Sequence, residues 1–559
     1  MTATDITIAA APRRRILALE ALGIAILALV LNLAGNGRIS LWDRDEPRYA
    51  ECTREMRATG DYMHPKFNAE PRYQKPVLIY WLMLLGTAIG GDNPFGARLV
   101  SSLAGAATCV LLWGFASRAF GRSIGRMAAL ILATAPIVVV NSKLATTDAT
   151  LALFFIMCQI ALWKLSKAPS VIAVIVFWTS LALATLTKGP VIPAMVAASG
   201  VVSWAMGGPT SCWKRLNWRW GPALFVVIAA PWFVAIAWIT QGAFFREAVG
   251  AQVIHRVTTG MEQHGGFPGY YPATTLLTFY PWSALLPAAL LAGWLKRKTD
   301  PTLGFLLGWA IGPLILLECV KTKLVHYYLP AYPACALLIA WTLDRIAKAD
   351  VSLRRWPMGR LAMGLLAGTG LTLTVLSLGG AMVLPWSLKW PCLMLSVILG
   401  GGTLFATEAY HKGRIERGTL GLATTWAATL LLVGAWLLPA VEPYRFPQKV
   451  ARAIASLADQ EHATPVLASF KEPSMIYEIG RPVAILREAS TFRDILRTGG
   501  VAVSALTDVE MRLLAKDPNV SVEIKETLTG VNLSKGSNDT LKLVLIRPAA
   551  IAKRAEMKR

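Results

Sequence analysis

Charge is scarce in this sequence. Only 16% of its 559 residues are Asp, Glu, Lys or Arg, against 55% hydrophobic residues and a mean hydropathy of +0.49. That balance excludes an ordinary water-soluble domain. Acid is the scarcer sign, with 33 Asp and Glu against 56 Lys and Arg. The resulting net charge of +23 suggests nucleic acid at first sight. Placing the charges removes that reading, because most Lys and Arg fall in short loops between apolar runs, where they set membrane orientation. Cysteine is sparse too. The seven cysteines show no metal or disulfide spacing, and Cys109, Cys158 and Cys335 lie in apolar runs as small core residues. No small-residue cleavage site follows Arg13-Arg14-Arg15, so the first apolar stretch reads as an uncleaved span and not a signal peptide. No clear internal repeat is found, which speaks against a transporter built from repeats.

What remains is a succession of apolar runs from Ile16 to Pro439, each about 18–22 residues and long enough to cross a hydrocarbon core. The reading is a polytopic α-helical membrane protein. The segment 77–90 is apolar but short, and it decides the topology. If it crosses, the basic loops carrying Arg118, Arg122 and Arg126, Lys164 and Lys167, Lys214, Arg215 and Arg219, and Lys296 to Lys298 all lie outside. If it lies in the interface, all lie inside, as the positive-inside bias demands. This choice predicts about 13 crossings, an inner N-terminus, and outer loops at 36–93, 142–147, 188–189, 241–271 and 321–328.

Composition shifts after Glu442. Strand-like runs at 465–470, 482–486, 501–506, 520–527 and 541–546 alternate with helical stretches near 447–459, 490–498 and 507–516, which predicts a soluble α/β domain without a Gly-rich phosphate loop. The expected division is a membrane domain, 1–440, with the juxtamembrane loop 36–93, and an outer domain, 441–559.

The stretch Leu41 to Pro76 is the most unusual. It is polar, dense in ionisable groups and far longer than a turn requires. Asp45 and Glu46 open an expected helix, with Asp45 placed as N-cap, Pro47 in the first turn and Gly60 as terminator. Capping needs one such residue, yet the cluster Asp43-Arg44-Asp45-Glu46 supplies three acids and an arginine. Arg44 has Asp43 or Glu46 as its expected partner. Asp148 stands directly before an apolar run, again as a candidate N-cap, but an acid at the hydrocarbon boundary is costly and is usually kept for a use. Carboxylates of this kind orient and activate an acceptor hydroxyl, one as base and one as positioner. A second set is cationic: Arg48, Lys75, His255-Arg256, and Lys321 and Lys323 leading into His326-Tyr327-Tyr328. Singly these read as headgroup-level anchors. Together they suit a prenyl-phosphate donor, with Arg gripping phosphate bidentately, Lys as point charge and a tyrosine hydroxyl as donor. Fixed cations stabilise the charge that grows on a leaving phosphate. His264 reads as structural. No cofactor follows from the residues, and a divalent metal stays open.

LWDRDEPRYAE at 41–51, YQKP at 73–76, Asp148, LTKGP at 186–190 and KLVHYYLPAYP at 323–333 resemble the lipid A aminoarabinose transferases, GT-C type glycosyltransferases related to bacterial protein O-mannosyltransferases. The resemblance implies a GT-C membrane domain of 13 spans with outer juxtamembrane helices and a C-terminal periplasmic α/β domain. It implies an inverting transfer from undecaprenyl phosphate at the outer leaflet of the inner membrane. It places catalytic acids at Asp45 and Asp148, a phosphate-binding lysine at Lys75, and a loop arginine and late tyrosine at Arg256 and Tyr327. One departure is Gln74, where an acid often precedes the lysine; a neutral amide neither acts as base nor holds a cation strongly.

The leading expectation is therefore a glycosyltransferase with catalytic Asp45, Asp148 and Glu46 and donor phosphate held by Lys75, Arg256, Tyr327, Lys323 and Arg48. Its partners are the undecaprenyl-phosphate-sugar donor, an acceptor that is lipid A, another lipid or a protein, and membrane lipids, with no nucleic acid. An O-mannosyltransferase acting on Ser or Thr of secreted proteins is the enzyme alternative, and a lipid or solute transporter the non-enzyme one. A receptor role has only the outer domain in its favour.

Overall fold

The computed structural model describes residues 3–248, 266–349, 356–486, 490–497, 500–532 and 536–549. The chain divides into two compact units, one of residues 1–36 and 73–437 and the other of residues 37–72 and 438–559. Residues 37–72 therefore group with the C-terminal segment.

The first unit is helical. Among the described residues nine helices are long and apolar enough to span a membrane, from Arg15–Leu33 to Ile415–Tyr444; the last of these runs into the second unit. A tenth is formed if Arg122–Ala133 and Pro136–Lys143, bent by 59°, count as one. The bend falls at Pro136, which cannot donate to the helix ladder. The other expected crossings take shorter forms. Val191–Ala205 has 15 residues. The run 272–295 is divided into Tyr270–Thr278, a 3-10 turn at Trp282–Leu285 and Leu286–Lys296. The run 329–343 begins as a 3-10 helix, Val325–Ala331, and continues as Tyr332–Lys348. Prolines at 272, 281, 287, 330 and 333 account for this segmentation. The segment 77–90 forms a 13-residue helix, Leu78–Gly90.

Two packing devices hold this unit. Helix Pro301–Glu318 lies so close to Val191–Ala205 that a Cβ at Gly308 would come within 2.5 Å of the Ser203 backbone, and one at Gly312 within 2.5 Å of Ser199 Cα. Glycines at i and i+4 present a flat face on which backbones meet. The end of the first span is tied by a buried polar knot. Arg98 donates to the Asn36 carbonyl at 2.8 Å, Asn36 Nδ2 donates to Ser102 Oγ at 3.2 Å, and Lys143 Nζ donates to the carbonyls of Leu31 and Asn32 at 3.2 and 3.3 Å. These donors satisfy carbonyls that a helix end leaves without partners. Cys109, Cys158 and Cys335 are core residues, each at most 1% exposed.

The second unit combines the polar loop with an α/β domain. In the loop, helix Asp45–Thr59 leads to a two-stranded hairpin, β1 (Lys66–Phe67) and β2 (Glu70–Pro71). The domain carries β3 (Thr464–Leu467), β4 (Ala484–Ile485), β5 (Ala502–Leu506), β6 (Val520–Asn532) and β7 (Ser537–Pro548) in sheet order β4-β3-β5-β7-β6. β3 pairs in parallel with β4 and β5, while β7 is antiparallel to both β5 and β6. Alternation puts Val503, Leu543 and Leu545 on one face, against Phe446, Val450 and Ile454 of helix Phe446–Gln460. Leu506, Val544 and Ile546 lie on the other face, with Phe492 and Leu496 of Ser490–Arg497. A sheet covered on both faces needs apolar residues at successive positions, as these strands have.

The loop is stitched to this domain. Asn68, at φ 55°, uses its whole amide on Val483, donating to its carbonyl at 2.8 Å and accepting from its N–H at 2.9 Å. Arg54 donates to the Tyr477 carbonyl at 3.0 Å, and Asp43 accepts from the Ser474 N–H at 2.8 Å. Arg445 donates to the Ser40 and Leu41 carbonyls, both at 2.8 Å.

Candidate active site

The membrane unit gathers four polar side chains from well-separated points of the chain around Asp148. Asp148 is the first residue of helix Asp148–Lys167, where an acid complements the helix dipole. Its cap position belongs to Thr147, which makes no side-chain cap hydrogen bond, so the expected N-cap role for Asp148 gives way to a charge-pairing one. The turn before it is held by Ser101 Oγ, which donates to the Thr146 carbonyl at 3.3 Å.

Lys188, the last residue of helix Val171–Lys188, reaches Asp148 Oδ1 at 2.7 Å. His326 Nε2 lies 3.7 Å from Asp148 Oδ2. Lys188 also sits over the Tyr327 ring, 4.6 Å from its centroid, and the rings of His326 and Tyr327 meet edge to face at 5.0 Å. Lys75 lies close enough for its charge to act on Asp148. The Asp148 and Lys188 side chains are only 10% and 11% exposed, whereas His326 is 29% exposed. One carboxylate thus faces several cationic or titratable groups in a largely dry setting. Such a cluster can hold an anion and a hydroxyl-bearing ligand while keeping its own charges ordered.

Of the sequence-predicted residues, Asp148, Lys75 and Tyr327 fall in this cluster. Lys323 is buried, pairs with Glu318, and donates to the Phe267 carbonyl at 3.1 Å. Tyr328 is buried, with its hydroxyl donating to the Ala310 carbonyl at 2.8 Å. Arg256, with His255 and His264, lies outside the described residues. Lys188 is the residue that site reasoning missed. The LTKGP motif displayed it, but a lone lysine ending an apolar run reads as an interfacial anchor.

The first-loop residues belong to the second unit. Asp45 is the first helical residue and Arg44 holds the cap position, so the expected N-cap is displaced by one. Gly60 ends the helix in the left-handed conformation, at φ 72°. The Asp45 side chain is 59% exposed, with Arg48 at 3.7 Å. Glu46 is buried and accepts from the Trp42 N–H at 2.8 Å, which makes it a brace for the loop. Arg44 reaches Glu472 at 3.9 Å in place of its expected neighbours. Burial raises the Asp43 carboxyl above its ordinary range, opposed by its hydrogen bonds from Ser474. Among the described residues no group of three His, Cys, Asp or Glu side chains is arranged to hold a metal ion.

Residues 74–238 match the family described as dolichyl-phosphate-mannose-protein mannosyltransferase. The chain is 30% identical over 430 residues to an undecaprenyl phosphate-alpha-4-amino-4-deoxy-L-arabinose arabinosyl transferase of Pseudomonas paraeruginosa, covering 74% of this chain and 73% of that protein. It is 30% identical over 448 residues to the corresponding transferase 1 of Pseudomonas fluorescens, covering 76% and 75%. Its fold is similar to the crystal structure of ArnT from Cupriavidus metallidurans bound to undecaprenyl phosphate, with a TM-score of 0.74, 21% identity and coverage of 95% of this chain and 98% of that one.

Proposed function

Because this chain belongs to the undecaprenyl phosphate-alpha-4-amino-4-deoxy-L-arabinose arabinosyl transferase family, and is a multi-pass membrane glycosyltransferase, we propose that it moves a sugar from undecaprenyl phosphate to lipid A or a related outer-leaflet acceptor. The reaction faces the periplasm in this reading, and the second unit lies on that side of a bacterial inner membrane. The observation that carries it is the Asp148 cluster, where Lys188 and His326 face one carboxylate, the charge of Lys75 acts on it, and Tyr327 packs against Lys188 and His326.

The chemistry follows from the charges. An acceptor oxygen attacks the anomeric carbon from the face opposite the phosphate, and the glycosidic C–O bond breaks with its electron pair on the phosphate oxygen. Negative charge grows on that leaving group. Lys75 and Lys188 are the fixed cations suited to receive it, and Tyr327 supplies a hydroxyl donor. Asp148, already paired with Lys188, holds the cations in place and prevents their mutual repulsion from spreading them. The sequence resemblance assigns the base role to Asp45 in this reading, and Glu46 braces the Asp45 loop. Asp45 and Glu46 enter by role, from the sequence resemblance, and Arg48 acts beside Asp45.

The test is mass spectrometry of lipid A, other membrane lipids and secreted proteins from cells lacking the chain, cells carrying it, and cells carrying Asp148→Asn. A sugar-sized mass that depends on the intact chain and is lost in the variant supports the reading and identifies the acceptor. The match of residues 74–238 to protein mannosyltransferases supports one second reading, transfer to Ser or Thr of secreted proteins. A mass lost from protein and retained on lipid would favour it, and no loss from any fraction would refute both.

A further inference from the structure

We infer that Glu318 and Lys323 form a clasp that positions His326 and Tyr327 for transfer, and that Lys323 is a positioning residue and not a ligand of the donor phosphate. This rests on the functional reading above.

Glu318 ends helix Pro301–Glu318 and accepts from three directions. The Gly269 and Tyr271 N–H groups donate to it at 3.1 and 3.0 Å, and Lys323 pairs with it. It therefore seals the N-terminus of helix Tyr270–Thr278 while neutralising a buried ammonium. Lys323 is enclosed by these contacts. Its side chain is 3% exposed, it donates to the Phe267 carbonyl, and it stands 6.0 Å from the Tyr271 ring centroid. Gly266 packs against its methylenes, so that a Cβ there would come within 2.7 Å. An ammonium so enclosed has no face left for a phosphate.

The segment that follows explains the need for a clasp. Val325–Ala331 is a seven-residue 3-10 helix, long for a conformation whose hydrogen bonds are poor. Its far end is pinned by Trp309 Nε1, which donates to the Pro330 carbonyl at 3.0 Å, and by Tyr328, which donates to the Ala310 carbonyl. Its near end is tied at Lys323, the residue before Leu324, and at Lys321, whose carbonyl accepts from the Gly266 N–H at 3.4 Å. His326 and Tyr327 stand between these pins, at the contact with Asp148 and Lys188. Loosening the near pin lets both side chains shift without touching any reacting group.

The experiment uses the full chain in detergent or liposomes, with undecaprenyl phosphate binding and donor-dependent transfer as readouts. Glu318→Gln and Lys323→Met should each lower kcat about tenfold to a hundredfold, the penalty of misplacement near 1 Å, with donor KM and undecaprenyl phosphate Kd within about twofold of wild type. The double variant should lose no more than either single one, since both break one clasp. It also removes both the buried ammonium and its half-buried carboxylate partner, so it provides the reading if a single variant fails to accumulate. A Lys323→Met or double variant that loosens undecaprenyl phosphate tenfold, with Glu318→Gln leaving it unchanged, overturns the inference. Wild-type kinetics in both single variants overturns it as well. A wild-type chain that neither binds undecaprenyl phosphate nor transfers sugar refutes the functional reading instead.

Discussion

Removing one member of the Asp148–Lys188 pair should injure the protein twice, and the two injuries can be separated. The pair is 2.7 Å apart, and each side chain is about nine-tenths buried. Asp148→Asn leaves the Lys188 ammonium with a neutral amide where its counter-charge stood. Breaking a buried pair by removing one partner costs about 3–5 kcal/mol. Here the lower end applies, because both groups keep some contact with solvent and His326 is also nearby. Lys188→Met should cost about as much, by depriving the carboxylate of its hydrogen-bonded counter-charge and leaving it to His326 and the charge of Lys75. The double variant, Asp148→Asn with Lys188→Met, carries neither charge and should regain stability to within about 1 kcal/mol of wild type, since replacing a whole buried pair is often neutral. Transfer should not return with it. Without the pair, the leaving phosphate meets one fixed cation fewer and an unordered His326, so transfer should stay about a hundredfold or more below wild type. The assay pairs thermal unfolding of the purified chain with single-turnover transfer from a prenyl-phosphate donor. A stable double variant that transfers at the wild-type rate would refute the assignment of this cluster to catalysis.

Three other outcomes follow from the packing and the polar loop. Gly308→Leu should separate helices Pro301–Glu318 and Val191–Ala205, because even its Cβ would sit 2.5 Å from Ser203 Cα, and the loss of about 1–3 kcal/mol or more should appear as a lower unfolding temperature. Asn68→Ala should cost about 1–3 kcal/mol by leaving the Val483 N–H and carbonyl without partners while a Cβ still occupies φ 55°; Asn68→Gly, which loses the same bonds but relieves the left-handed strain, should cost less. Burial pushes the Glu51 carboxyl up to about 7, against the pull of Arg54. Its folded form therefore holds a proton more tightly than the unfolded chain does, so its contribution is present below about pH 4.5 and lost as pH rises through about 7. Stability measured between pH 5 and 8 should fall more steeply in wild type than in Glu51→Gln, and parallel curves would refute the shift.

The fold class was legible because hydrophobic run length and a shift in composition are local properties. The strands near 465, 484, 502, 520 and 541 could be read the same way, by alternation and β-branched residues, and the structure places a strand at each. Interrupted crossings were harder. Hydropathy averages over Pro281 and Pro330 and reports one apolar run, whereas the backbone needs a donor at each of those positions and breaks into short helices instead. Caps were misplaced by one residue at both Asp45 and Asp148, since a helix start is signalled equally by an acid at the cap and an acid in the first turn.

The polar cluster shows why a site in such a protein is only half visible in its sequence. Asp148, Lys188 and His326 are separated by 40 and 138 positions, and each stands in a short polar stretch beside an apolar run. An anchor at the headgroup level has the same local appearance. What distinguishes them is burial together: a lysine that serves as an anchor extends towards water, whereas Lys188 turns inward to a carboxylate and an aromatic ring. Lys323 makes the complementary case. It too turns inward, but its partner Glu318 is five residues away, and the pair completes a local turn. Inward-facing charge at a span end therefore marks either a site or a brace, and the sequence distance to its partner helps tell which. The Glu318–Lys323 ion pair closes within five residues and ties in the segment from Phe267 to Tyr271, while the Asp148 cluster joins residues 40 and 138 positions apart.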